Sequence, residues 1–136
     1  MSWIVDRQTT IYSRVKGILS SKLKKKYDSF LITEDNATPT QAIFPTVYIT
    51  FVGLNELGQT LDGMTINAIN ITAEVHVKTS KAQGMISNRD IAWDVVEAFK
   101  SIGFNAIMPN IPTSNLDGIY ESVSRFSRVI GQGDTI

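Results

Sequence analysis

Residues 66–79, INAINITAEVHVKT, alternate strictly from Ile69 onward. Ile69, Ile71, Ala73, Val75 and Val77 share one side, and Asn70, Thr72, Glu74, His76 and Lys78 share the other. Successive strand side chains point to opposite faces, so the pattern predicts a strand with one dry and one polar face. Such strands belong to antiparallel sheets covered on one side. A helix does not fit, because apolar residues at every second position would be scattered around its axis.

Outward from this strand, 46–52 reads as a second strand opened by Pro45, with Val47, Ile49 and Phe51 on one face and Tyr48 and Thr50 on the other. A short strand is expected at 30–33, and 34–41 reads as a loop marked by Asp35-Asn36 and Pro39. Residues 53–65, GLNELGQTLDGMT, are long for a hairpin turn. They read either as an extended interaction arm or as a passive loop.

Two amphipathic helices complete the pattern. Asp6 is placed to cap a helix running to Lys26, with Ile11, Val15, Ile18, Leu19 and Leu23 as its apolar stripe. Gly17 interrupts it at a cost of about 1 kcal/mol relative to Ala. The basic end, Lys22, Lys24, Lys25 and Lys26, suits the negative pole of a helix dipole or a contact with an acidic surface. Ser87 and Asp90 have capping-box spacing for a second helix over 88–102, closed by Gly103. Ile91, Val95, Ala98, Phe99 and Ile102 form its stripe, with Trp93 and Val96 at the margin. A strand at 104–108, a proline-marked loop through 118 and a last strand at 119–130 follow, and 131–136 is expected to be mobile or partner-bound. The predicted fold is a single α+β domain in the order α-β-β-β-α-β-β, with both helices packed on a mostly antiparallel sheet.

Composition narrows the chemistry. The chain has 136 residues, no Cys and a formal net charge of zero. Disulfides and thiolate chemistry are absent, and bulk charge gives no pull toward nucleic acid or an acidic membrane. No apolar run reaches the roughly 20 residues of a membrane span. The N-terminus lacks signal-peptide features, so synthesis in the cytoplasm is expected and the sequons at Asn36 and Asn70 read as chance. His76 is the only histidine and has no second His or Cys to complete a zinc site. No Gly-x-Ser-x-Gly elbow is present for a serine triad, and Gly131-Gln132-Gly133 lacks the context of a phosphate loop. Paired-carboxylate hydrolysis stays open, since spatial pairing is not written in a sequence.

Taken together, TIYSRVKGILSSKL, FPTVYITFVG, the long loop, ITAEVHVKT, NRDIAWDVVEAFKSIGF and YESVSRFSRVIG resemble the layout of the tail terminator (tail completion) proteins of long-tailed bacteriophages and phage-tail-like particles. The likeness is one of element order over nearly the whole chain, without a diagnostic motif. It implies a structural, non-enzymatic virion protein that needs no cofactor. Such a protein forms a homohexameric ring on the head-proximal end of the tail tube, stops tube growth and presents a docking surface to the head–tail connector. It meets the sheath protein if the tail is contractile. DNA passes through its lumen without sequence-specific binding, and it is assembled in the host bacterial cytoplasm. Under this resemblance Leu54, Asn55, Glu56, Leu57, Gln59, Leu61, Asp62 and Met64 belong to an arm reaching the tube or the next subunit. Lys22, Lys24, Lys25 and Lys26 pair with an acidic neighbour, and Arg125 and Arg128 face the lumen or an inter-subunit salt bridge. The competing expectations are a head-completion or connector adaptor, and a small ligand-binding or hydrolytic domain built on His76.

Overall fold

The computed structural model describes residues 3–34, 43–57, 68–116, 119–131 and 133–136, with the backbone alone over 54–57 and 108–116. The elements run α1 (Trp3–Leu23), β1 (Leu31–Thr33), β2 (Thr46–Leu57), β3 (Ala68–Ser80), α2 (Gly84–Ser101), β4 (Asn105–Leu116) and β5 (Ile119–Gly131). The strands form one sheet in the order β1-β2-β3-β5-β4. The class is α+β, and the element order is the expected one. The sheet is mixed, because β1 lies parallel to β2 while every other pair is antiparallel.

β3 is the centre of the sheet, and its burial alternates along its full length, as the period-two pattern requires. Its apolar row faces the helices. Across from it β2 supplies Val47 and Ile49, and β5 supplies Phe126 and Ile130. Ile11, Val15, Leu19 and Leu23 of α1 and Ile91, Val95, Ala98 and Phe99 of α2 close the core from above. Phe99 stacks on Phe126 at 4.4 Å between centroids and meets Phe104 edge-on at 5.3 Å, the two favoured aromatic geometries. On β5, Ser122, Val123 and Ser124 are buried in succession, which explains its blurred alternation in the sequence.

Several boundaries are corrected. α1 begins at Trp3, so Asp6 sits in its first turn rather than capping it, and its carbonyl accepts a hydrogen bond from the Thr10 hydroxyl. The helix ends at Leu23, and Lys24, Lys25 and Lys26 form a turn held by the Leu23 carbonyl. α2 begins at Gly84, four residues ahead of the expected start, with a φ of +76° that favours glycine. Ser80 and Gln83 close the preceding turn reciprocally, backbone N–H to side-chain oxygen in both directions at 3.1 and 3.3 Å. Ser87 and Asp90 therefore do not cap α2, whose N-cap is Gln83.

β4 is a full strand where the prolines suggested a loop. Register shifts between Ala106/Met108, Met108/Ile111 and Pro112/Ser114 accommodate the irregular sequence, and an edge strand tolerates proline. The C-terminal residues are also held. Asp134 accepts from the Gly131 N–H at 2.7 Å, Arg128 donates to the Thr135 carbonyl, and Ile136 packs against the core. The expected mobile tail thus has an apolar anchor at its end. β2 runs five residues further than expected, so the backbone of residues 54–57 belongs to the sheet. The rest of the proposed arm, with Gln59, Leu61, Asp62 and Met64, lies outside the described residues, as do the 35–42 loop and its sequon. None of the described helices is long and apolar enough to cross a membrane.

Candidate functional site

The face of the sheet opposite the helices carries the densest chemistry. The alternation that buries Ile69 to Val77 necessarily turns Glu74, His76 and Lys78 outward, and β5 brings Glu121 and Arg125 beside them through the pairs Lys78↔Glu121 and Glu74↔Arg125. Glu74 is the hub. One carboxylate oxygen meets His76 Nε2 at 2.6 Å, and the other accepts from Nε and Nη2 of Arg125, both at 2.8 Å. Paired N–H groups of guanidinium on one carboxylate make a charge-assisted, geometrically fixed contact. Glu121 lies 3.7 Å from His76 Nδ1 and 3.6 Å from Lys78 Nζ. Tyr48 of β2 borders His76, with ring centroids 5.6 Å apart.

Burial, the largest single influence on Glu74, pushes its carboxyl upward. The hydrogen bonds from His76 and Arg125, helped by their charges, outweigh it and hold the group below the usual carboxylate range. Both His76 ring nitrogens are directed at carboxylates. Serine activation needs one nitrogen on the nucleophile, and Ser122 and Ser124 are buried on the opposite parity of β5. The group is arranged as a charge-balanced lattice tying β3 to β5. Among the described residues no three His, Asp or Glu side chains gather as a metal-ligand set.

The basic residues singled out from the sequence split into different environments. Lys22 donates to Glu97 at 2.6 Å, and Lys26 donates to Asp90 at 2.8 Å and Asp94 at 2.9 Å, so both clasp α1 to α2 within the chain. The hydrogen bond to Asp90, then that to Asp94, holds the Lys26 ammonium well above its ordinary range. Lys24 and Lys25 are exposed. Arg125 and Arg128 lie on opposite faces of the sheet. Arg125 belongs to the Glu74 cluster, whereas Arg128 Nη1 donates to the Ile102 carbonyl at 2.7 Å. Arg128 therefore places a cation at the negative end of α2. One residue with structural weight was not singled out for it: Asn88, completely buried, reaches from α2 into both β3 and β5. Gly103, expected to close α2, does so with a φ of +88° and lies against Arg128.

Exposed apolar side chains occupy both layers. Ile86 and Trp93, 81% and 59% exposed, lie two turns apart on α2. Val52 on β2, Val129 on β5 and Ile107 on β4 are about half exposed on the sheet layer. No protein-family model matches the chain, and no curated protein matches it.

Proposed function

We propose that this chain is a ring-forming structural subunit of a phage-type tail, acting as the terminator at the head-proximal end of the tube. The observation that carries this reading is the distribution of exposed apolar groups over both layers. Ile86 and Trp93 lie on the helix side, and Val52 and Val129 on the sheet side. A closed ring requires two different patches on each subunit that meet head to tail. The element order is compatible with the same reading, since the chain's layout resembles that of tail terminators over nearly its whole length. In this reading the charge-balanced lattice of Glu74, His76, Lys78, Arg125 and Glu121 is a rigid face that DNA can pass without being held. The protein works in the virion tail and performs no reaction.

Affinity capture from cells assembling the particle tests this. Recovery of the tube protein supports the terminator, and recovery of the portal side instead supports a connector adaptor. His76→Ala separates both from a small hydrolytic or ligand-binding domain, because a structural ring retains assembly without the imidazole.

A further inference from the structure

The two edges of the sheet are built differently. β4 carries Pro109 and Pro112, which have no N–H to offer, and three register shifts interrupt its run. Proline and bulges are the devices by which proteins blunt a strand edge. β2, at the other side, has no proline over residues 49–57, ITFVGLNEL, and one bulge, at Val52, although it is as long as β4. The short β1 covers only Thr46, Val47 and Tyr48. Among the described residues, no strand pairs with β2 beyond that point on its outer side.

The alternation fixes which backbone groups face outward. Leu31 N–H donates to the Pro45 carbonyl on this side at 3.0 Å. Val47, Ile49 and Phe51 therefore turn their N–H and C=O groups the same way, since alternate residues of a strand do so. The bulge at Val52 shifts the alternation by one residue, which brings Leu54 and Glu56 outward. A row of unpaired backbone donors and acceptors is a template for another strand.

We propose that in the unassembled protein two copies pair antiparallel through this edge, β2 against β2, to join their sheets into one. An antiparallel edge is complementary to an identical edge, so this partner requires no second surface. Charge allows it as well. Glu56 is the single charged residue of 49–57, and pairing centred between Val52 and Gly53, which sets Phe51 opposite Leu54, places it opposite Ile49 of the second copy rather than opposite its own equivalent. Each copy's β1 bounds the contact at one end. The contact is isologous and closes on itself, whereas a ring contact is head to tail, so this dimer has to open before a ring closes. The inference stands on the β2 edge and not on the tail reading.

The test uses the purified full chain, with mass measured by native mass spectrometry over a concentration series and amide exchange followed by NMR. The wild-type chain is expected to dimerise at micromolar concentration, with slowed exchange at Ile49, Phe51, Leu54 and Glu56. Val52→Lys places a gatekeeper charge on the edge at an exposed site, and it is expected to weaken the dimer at least about tenfold while circular dichroism stays unchanged. Leu54→Pro removes an outward donor and serves as the second variant. Ile107→Lys, on the opposite edge, is expected to leave the dimer intact. A monomer throughout, a dimer indifferent to both β2 variants, or one dispersed by Ile107→Lys overturns the proposal.

Discussion

The Asn88 side chain of α2 accepts a 2.6 Å hydrogen bond from the Ser122 hydroxyl of β5 in the buried interior. Its amide nitrogen donates in turn to the Val77 carbonyl at 2.9 Å and the Tyr120 carbonyl at 3.1 Å, with Thr79 Oγ1 at 3.4 Å. One side chain thereby ties the start of α2 to two adjacent strands. A satisfied buried network of this kind fixes the position of the helix as well as stabilising it.

Asn88→Leu orphans the Ser122 hydroxyl and these carbonyls in a dry site. It is expected to lower unfolding free energy by about 2–4 kcal/mol, and Ser122→Ala by about 1 kcal/mol. Urea denaturation of both variants and the double variant checks this. Strongly non-additive losses are expected, because the residues share one network.

Gly103 follows α2 with a φ of +88°, and a Cβ there would meet Arg128 Nε at 3.2 Å. Gly103→Ala combines left-handed backbone strain with displacement of the guanidinium from the Ile102 carbonyl. A loss of about 1–3 kcal/mol is expected, measured by thermal or urea unfolding.

The clasp between α1 and α2 predicts an alkaline limb in the stability profile. Lys26 has its folded-state pKa raised from 10.5. A raised pKa means stability that is complete below that value and lost as pH rises through the folded value. Lys26→Met removes this limb and leaves the largely buried Asp94 without its ammonium, at a cost of about 1–2 kcal/mol near neutral pH. Chemical denaturation at pH 8 and above separates the two effects.

Glu74 predicts an acid limb. Its pKa is lowered from 4.5, so its contribution is present above that value and lost as pH falls through the folded one. Glu74→Gln is expected to flatten stability against pH below about 4.5 relative to the wild type, as measured by urea midpoints in acid.

Much of the architecture was legible because β3 obeys its period without exception and both helices carry clean apolar stripes. The Ile69-to-Val77 row and the Ile11, Val15, Leu19, Leu23 row are written directly in residue spacing. What was not legible depends on distance in the chain. Ser87 and Asp90 have capping spacing, yet Asp90 goes to Lys26, 64 residues away, and the turn ahead of α2 is closed by Ser80 and Gln83. Pro109 and Pro112 read as a loop because an edge strand is defined by what lies beside it. Lys22 and Lys26 read first as helix-end cations and second as a contact with an acidic surface, and their acidic partners on α2 carry no mark that assigns them. Arg125 and Arg128 look alike in the sequence, although three residues along a strand put them on opposite faces.

The tail reading also predicts the result of shortening the connection between β2 and β3. Replacing residues 58–67 by a tight turn is expected to preserve the cooperative unfolding transition and abolish tube capping, with unfolding followed by circular dichroism and capping by tube length.

Electron microscopy of tail tubes polymerising in the presence of the purified protein tests the central claim most directly. The terminator account predicts a six-fold ring at a single end of each tube and arrested growth at that end. Tubes that lengthen unchanged, with no added density at either end, would contradict it.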